Sequence, residues 1–468
     1  MPTRAGKAGS LGELAGARVL VAGAKVTGVS AARVLTALGA HVSVTDAAAT
    51  ALRALAAVPE LGAVRVCPEL SAPPPGTDLL VTSPGFRPDS PLITAARHRG
   101  IPVVGDVTLA GWINQARPTP AQWLVVTGTN GKTTTVGMLA AILRAAGLDA
   151  VACGNIGLPI LDAVRAGHRV LAVELSSFQL HYSPEPAARA AVVLNVSEDH
   201  LDWHGDLQHY AAAKGSVYLA SQIAIANADD DWSMRLARGR GAIQFTTGAP
   251  TPGQLGVVGE RLVDRAFSDE LAGDELASVK DVRPEGPHFL SNALAAAALA
   301  RSIGVSALAV ARGLRDFTSG GHRGELVGEY AGVRYIDDSK ATNPHAARAA
   351  LLTRHRVVWV AGGLLKGAKV EQLVTQVRDR LVGAVLLGTD REVFAAALAR
   401  HAPHLPVRVV DSGDDNAMHE VVAAAAQLAR PGDVVLLAPA AASIDMFRDY
   451  AHRGRAFAAA VARFGATR

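Results

Sequence analysis

The sequence predicts an α/β protein of three domains, each an open sheet of largely parallel strands covered by helices. Three observations carry this. The chain has 468 residues, enough for about three domains of ordinary size. Its hydrophobic content is 49 % with only 4 % aromatic, alanine and valine dominating, and such small aliphatics suit strands buried on both faces. Short apolar runs recur along the chain, end in small polar residues, and alternate with helical stretches, the rhythm of parallel sheets.

In order along the chain, Arg18 to Ala22 reads as a buried strand, Gly23 to Gly28 as a turn and Val29 to Leu38 as a helix stopped by Gly39. His41 to Thr45 reads as the next strand, ending at Asp46, and completes a βαβ unit. Apolar runs at Leu79-Val81 and Val103-Val104 extend this sheet. The polar stretch Asn114 to Gln122, with Pro118 and Pro120, reads as a linker. A second α/β region starts at Trp123, with strands at Val170-Val173, Ala191-Leu194 and Ile223-Ala226, a turn-rich stretch from Thr247 to Gly259, and a helix from Ser291 to Ile303. After a second hinge at Thr318-Gly321, strands at Val333-Ile336, Val357-Val360, Ala384-Leu387 and Val434-Leu437 form another open parallel sheet.

The most informative segment is Val125 to Thr135. A buried strand leads into the glycine-rich turn Gly128-Thr129-Asn130-Gly131, and a helix opens with Lys132-Thr133-Thr134. Backbone N–H groups of such a turn cradle polyphosphate, a lysine reaches the terminal phosphates, and a hydroxyl such as that of Thr133 ligates magnesium. The motif is short, G-x-x-G-K-T with Val126 where longer versions have a small residue, which argues against motor and G-protein NTPases. A chance glycine turn before a helix is the bland alternative.

The first turn, Gly23-Ala24-Lys25-Val26-Thr27-Gly28 with Asp46 beyond it, imitates a dinucleotide fingerprint. Lys25 stands where close backbone approach to a pyrophosphate needs glycine. The favoured reading is a site for another diphosphate such as a nucleotide sugar; a structural turn and a nicotinamide site remain alternatives. Thr82-Ser83-Pro84-Gly85 follows a strand and can close the same crevice. In the second region, Glu174 and Asn195 end strands, and Asn195 leads to His200. With Thr133, Glu174 and His200 offer oxygen and imidazole ligands for a divalent metal near the phosphates. The turn Gly154-Asn155-Ile156-Gly157 either contacts substrate or is a plain turn. Read from the residues alone, Lys214 is an ordinary solvated helix lysine. In the last region Arg323 is placed to stabilise a transferred phosphoryl group. The polar segments Asp337–Asn343, Gly362–Gly367 and Pro439–Ser443 each follow a strand, where parallel sheets gather ligands.

The formal charge of +4, from 46 basic and 42 acidic residues, is dispersed and forms no nucleic-acid tail. A mild basic excess suits small anionic substrates. The only cysteines, Cys67 and Cys153, lack metal-ligand spacing and fit a reducing cytosol. Met1 to Gly16 carries Arg4 and Lys7 without a following apolar stretch, so no signal peptide is expected. No apolar run approaches ~18 residues, so no membrane span is expected.

These motifs, in this order from about Arg18 to Phe464, resemble the Mur ligase family of ATP-dependent amide ligases of peptidoglycan synthesis. Glu174-Leu175-Ser176-Ser177-Phe178-Gln179-Leu180, Asn195 to Asp202, Asp338-Ser339-Lys340-Ala341-Thr342-Asn343 and Pro439 to Phe447 look most like its D-glutamate-adding members. The resemblance implies a Rossmann-like N-terminal domain (1–117) binding a uridine diphosphate through Lys25, Thr27, Asp46, Ser83 and Gly85. It implies a central P-loop ATPase-like domain (118–319) with Asn292 near the adenine, and a Rossmann-like C-terminal domain (320–468). Asn155, Ser176 and Gln179 are implied as contacts for UDP-N-acetylmuramoyl-L-alanine. Lys340, Thr342, Lys366, Ser443 and Tyr450 are implied for the substrates of the third domain, D-glutamate above all. Asp338 matches a ribose contact and Arg323 a phosphate contact. Lys214 falls where the family carries a carbamylated lysine that helps hold a second magnesium ion. Gly362-Gly363-Leu364-Leu365-Lys366 departs from the usual Gly-Gly-Asp-Gly-Lys turn. A cytoplasmic, monomeric enzyme with ATP and two magnesium ions is implied, with no nucleic-acid or membrane partner. The rival readings are a ligase of the same architecture adding another amino acid or glutamating a folate, a nicotinamide dehydrogenase, and a nucleotide-gated binding protein.

Overall fold

The computed structural model describes residues 11–318, 320–411 and 417–466. Met1, Arg4 and Lys7, on which the leader expectation rests, lie outside the described residues, as does Ser319 of the second hinge. The described residues form three sheets.

The first sheet contains β1 (Arg18–Ala22), β2 (His41–Thr45), β3 (Arg65–Cys67), β4 (Leu79–Thr82) and β5 (Val103–Gly105), in the order β3-β2-β1-β4-β5 and all parallel. Chain order reverses at β1, so its carboxyl end faces a crevice flanked by β2 and β4. The helix after β1 spans Val26–Ala37, three residues earlier than expected, so Thr27 lies in its first turn.

The second sheet contains β6 (Gln122–Thr127), β7 (Ala150–Gly154), β8 (Val170–Glu174), β9 (Ala190–Val193), β10 (Ile223–Asn227), β11 (Ile243–Phe245), β12 (Gln254–Val258), β13 (Arg261–Asp264) and β14 (Asp274–Ser278). Its order is β14-β13-β12-β11-β10-β9-β6-β8-β7. The strands from β7 to β12 pair in parallel, while β12, β13 and β14 form an antiparallel extension. This corrects the turn-rich reading of Thr247 to Gly259: β12 lies inside it, because its apolar residues pair between two neighbours. The alanine-rich helix runs Pro287–Arg301, and every residue from Ala293 to Ala300 is fully buried. Alanine suits most of these positions because a helix enclosed on all sides packs closely against its neighbours, with Leu294 and Leu299 filling the wider gaps.

The third sheet contains β15 (Glu325–Tyr330), β16 (Val333–Asp337), β17 (Val357–Gly362), β18 (Leu381–Leu387), β19 (Val407–Val409) and β20 (Val434–Leu437), in the order β15-β16-β20-β17-β18-β19. Only β15 runs antiparallel, against β16. Buried clusters cover both faces of this sheet, one around Trp359 and Phe394 and one around Val358, Val360 and Phe457.

The chain clusters into two compact units. The first holds residues 1–196, 208–282 and 289–317, and so both of the first two sheets; the second holds 197–207, 283–288 and 318–468. The stretch expected as a linker between the first two sheets is pinned. Asn114, in the helix Asp106–Gln115, donates through Nδ2 to Ala121 O at 2.9 Å and accepts from Ala121 N at 2.8 Å. Ser30 Oγ also donates to Asp162 Oδ1 at 2.7 Å, tying the two sheets' helices together. No helix among the described residues is long and apolar enough to cross a membrane.

In the first unit, the helix Ala307–Asp316 crosses Lys132–Ala145 at a glycine: a Cβ on Gly313 would lie 2.3 Å from Ile142 Cα. Gly313→Ala is therefore expected to destabilise the protein by about 1–3 kcal/mol through overpacking, despite alanine's better helix propensity. Urea denaturation checks this; an unchanged or raised midpoint would contradict the close crossing.

Candidate active site

The phosphate-loop geometry follows from two glycines. Gly128 and Gly131 have φ of 151° and 85°, conformations that L side chains resist. A Cβ on Gly131 would also lie 2.3 Å from Asn292 Oδ1, which places Asn292 against the loop. Asn195, at the end of β9, holds the turn from beneath. Its carbonyl accepts from Thr129 N and its Oδ1 from Asn130 N, each at 2.9 Å, and its Nδ2 donates to Asn130 O at 3.2 Å. Lys132 curls back so that Nζ donates to Gly128 O at 2.8 Å and Thr129 O at 2.9 Å.

A second amine reaches the same carbonyl. Lys214 Nζ donates to Gly128 O at 2.8 Å and lies 4.4 Å from the Tyr210 ring centroid, while Tyr210 Oη donates to Thr129 Oγ1 at 3.2 Å. Lys214 is 1 % exposed, which overturns the solvated-lysine reading. The helix Leu207–Gly215 has no apolar stripe to show which face turns inward, so burial of this lysine is decided only by its packing. The Lys132 ammonium and the N–H groups at the start of its helix make an anion site, with the Lys214 nitrogen buried beside it.

Glu174 ends β8, one strand from the loop, and is 2 % exposed. Its Oε1 accepts from Asn155 Nδ2 at 2.9 Å, while Oε2 is buried with no hydrogen-bond partner among the described residues. A bare carboxylate oxygen out of water is costly unless a cation approaches it, so this residue fits a divalent metal. The turn at Asn155 is bound to Glu174 through its backbone as well. Asn155 N donates to Glu174 O at 2.8 Å, and the positive φ of Gly154 (101°) lets that backbone come close. Thr133 and Thr134 occupy the first turn of the helix Lys132–Ala145.

Ser176 and Gln179 form a capping box on the helix Ser177–Tyr182. Gln179 then reaches Asp106, Nε2 donating to Oδ2 at 3.4 Å. Asp106 was not legible as a site residue. It is 3 % exposed, its Oδ1 has no partner, and burial pushes its carboxyl up to about 6, opposed by the Gln179 hydrogen bond.

At the carboxyl end of the first sheet, Asp46 shapes the turn. Its Oδ2 accepts from Ala24 N at 2.7 Å and its Oδ1 from Ala48 N at 2.8 Å. Lys25 is exposed at the start of the following helix, beside Thr27. A Cβ on Gly23 would lie 2.3 Å from Ser83 Oγ, so the Ser83-Gly85 turn does close on the first turn.

In the second unit, the carboxyl ends of β16, β17 and β20 gather the expected residues. Asp338 N donates to Leu437 O at 2.9 Å, and Asp338 Oδ1 accepts from Gly324 N at 3.1 Å. The protein packed around this partly exposed carboxyl raises it to about 7, with Arg354 opposing. Arg323 precedes Gly324 and adds a weaker opposing field. Lys340 Nζ lies 3.9 Å from the Tyr450 ring centroid, a cation–π pair. Thr342 N donates to Lys340 O at 2.8 Å. Lys366 has φ 52°, and Ser443 is 3 % exposed. His200, with φ 55° and Nε2 3.7 Å from Asp199 Oδ2, belongs to the segment 197–207 that clusters with this unit. Arg453 was missed from the sequence. It is 1 % exposed and its guanidinium donates to Ser339 Oγ, Ser339 O and Ala441 O at 3.0–3.1 Å, tying the loops after β16 and β20. An arginine in an ordinary helical stretch gives no signal of such a role.

Two family models match this chain: the Mur ligase middle domain over residues 126–300, and the Mur ligase glutamate ligase domain over residues 322–441. Over nearly its whole length the chain is 54 % identical to the UDP-N-acetylmuramoylalanine–D-glutamate ligase of Nocardia farcinica, covering 96 % of this chain and 97 % of that one. The ligase of that name from Streptomyces coelicolor is 52 % identical, with 97 % and 99 % covered. The chain belongs to the Mur ligase family. Solved structures agree on the fold: the UDP-N-acetylmuramate–alanine ligase of Thermotoga maritima superposes with a TM-score of 0.59 at 18 % identity, covering 96 % of this chain and all of that one. As a Mur ligase this chain is an ATP-dependent amide ligase of peptidoglycan synthesis, and its glycine loop lies within the matched middle domain.

The buried Asp106 gives this Mur ligase a pH-dependent stability. Its folded value, about 6, lies above the unfolded value of 3.8. The folded state therefore holds the proton longer, and stability falls as pH rises from about 4 to about 6. Asp106→Asn is expected to remove this slope and to gain up to roughly 3 kcal/mol above pH 7 relative to the parent. Denaturation midpoints of the two proteins at pH 5 and pH 8 check it; parallel shifts would show that Asp106 ionises freely in the fold.

Proposed function

We propose that this Mur ligase joins D-glutamate to UDP-N-acetylmuramoyl-L-alanine through an acyl phosphate, releasing ADP and phosphate. The observation that carries the phosphoryl chemistry is the glycine loop with Lys132 folded over its carbonyls, one strand from the buried, half-satisfied Glu174. The choice of substrates is supported by the relatives at about half identity over the whole chain, whose names carry both. The three-domain division at 117/118 and 319/320 accompanies this reading, supported by the three sheets.

The residues take these roles. Gly128 to Thr134 cradle the triphosphate, with Asn292 near the adenine and Asp338 on the ribose. Lys25, Thr27, Asp46, Ser83 and Gly85 hold the uridine diphosphate. Asn155, Ser176 and Gln179 steer the muramoyl-alanine end, and Lys340, Thr342, Lys366, Ser443 and Tyr450 receive D-glutamate. Thr133, Glu174 and His200 would offer ligands to magnesium near the phosphates, and Lys214, as a carbamate, would help hold a second ion. The ions supply charge neutralisation for the polyphosphate. What supports a role for Lys214 is its burial beside the glycine loop, where Nζ reaches Gly128 O at 2.8 Å.

A carboxylate is a poor electrophile. Its oxygen therefore first takes the γ-phosphoryl group, with a new P–O bond formed as the bond to ADP breaks. Lys132 and Arg323 offset charge on the transferring group. The amine of D-glutamate attacks the acyl carbon, gives up a proton, and phosphate leaves with its bond to carbon broken. Water has to be kept from the acyl phosphate, which it would hydrolyse. The free, buried cysteines Cys67 and Cys153 fit a cytoplasmic enzyme.

A phosphate-release assay with UDP-N-acetylmuramoyl-L-alanine, ATP, magnesium and each amino acid in turn is expected to respond to D-glutamate. Release with another amino acid instead would replace this reading with a sister ligase. Lys132→Ala is expected to lower kcat at least a thousandfold while calorimetry shows UDP-substrate binding nearly intact. Normal turnover in that variant would remove Lys132 from the mechanism.

A further inference from the structure

We propose that Asp390 is a positioning residue for amino-acid recognition: its carboxylate fixes the loop that presents Lys366. The inference rests on the reading that Lys366 and Ser443 receive D-glutamate. Asp390 occupies the N-cap of the helix Arg391–His401, where an aspartate ordinarily accepts from that helix's own first N–H groups. Its side chain makes no such bond. Instead Oδ2 accepts from Leu365 N at 2.7 Å, and the Asp390 N–H donates to Gly363 O at 3.0 Å. The capping group is diverted from its own helix to the neighbouring loop.

That loop needs holding. Lys366 adopts a left-handed backbone (φ 52°), which a non-glycine residue keeps only when its surroundings impose it. The two residues before it are leucines. Leu365 is buried in the core beneath the sheet, and Leu364 exchanges two hydrogen bonds of 2.9 Å with Ala442, the residue before Ser443. The remaining link is Asp445, whose Oδ2 accepts from Thr389 N at 2.9 Å. The loops after β17, β18 and β20 thus close a ring: Asp390 to Leu365, Leu364 to Ala442, Asp445 to Thr389. Lys366 and Ser443 sit on two of its sides, and Asp390 is the side-chain acceptor that joins the third loop to the lysine.

Steady-state kinetics of Asp390→Ala, Asp390→Asn, Asp390→Glu and Lys366→Ala test it, with melting temperatures alongside. Asp390→Ala is expected to raise KM for D-glutamate at least tenfold, with kcat and KM for ATP and the UDP substrate within about twofold of the parent. Asp390→Asn keeps an acceptor oxygen and is expected to restore most of the affinity. Asp390→Glu keeps the charge but misplaces the acceptor, and is expected to share the defect; it carries the test if the alanine variant does not fold. An unchanged KM for D-glutamate in the Asp390 variants, with a raised one in Lys366→Ala, overturns this inference alone. A fall in all parameters together with melting temperature assigns Asp390 a merely structural role and also overturns it. If Lys366→Ala leaves KM for D-glutamate unchanged, the reading of Lys366 fails and this inference with it.

Discussion

Charge held out of water organises the first unit. Lys132 and Lys214 both spend their amines on the carbonyl of Gly128, and Glu174 keeps one oxygen without a donor one strand away. The Lys132 ammonium suits an anion at the loop, and the open oxygen of the buried Glu174 suits a cation beside it. The parallel sheet makes this possible. Adjacent strands deliver their carboxyl ends to one edge, so the glycine turn after β6, Glu174 at the end of β8 and Asn195 after β9 meet although they are far apart in the chain. The energy needed to hold them comes from the alanine-packed interior behind, where a fully enclosed helix leaves little space for rearrangement.

The second unit meets the same requirement differently. Its ligand-end residues other than the buried Ser443 are partly exposed, so rigidity comes from cross-links between loops. The guanidinium of Arg453, lowered to about 10 by burial, ties the segments after β16 and β20. His322 Nδ1 lies 2.6 Å from the buried Asp337, whose carboxyl is raised by burial and held back by that histidine. With the ring around Asp390, these bonds turn separate loops into one frame. A ligase that must hold two substrates and a nucleotide while excluding water gains from such frames, because the reacting atoms then need little further ordering.

Much of this was legible. Strands such as Arg18–Ala22 and Val434–Leu437 are short apolar runs, His41–Thr45 alternates valines with polar residues, and all three fall where the pattern puts them. The phosphate loop, Glu174 and the three polar strand ends of the last sheet were visible for the same reason: chemistry is concentrated just past a strand. What escaped was of another kind. The antiparallel extension β12–β14 contains short strands among glycines and prolines, and only pairing partners make them strands. The pinning of Asn114 to Ala121 hides in a segment whose composition reads as loose.

The sequence by itself determined the fold class, the family, and which residue types stand at the strand ends, because these depend on local pattern and on motifs a few residues long. Only the tertiary structure decided that Lys214 is buried under the glycine loop, that Asp106 lies beneath Gln179, and that Asp390 serves a loop other than its own. The physical reason is that burial and hydrogen-bond partnership join residues distant in the chain. An aspartate before a helix, or a lysine within one, carries no mark of the neighbour it will meet.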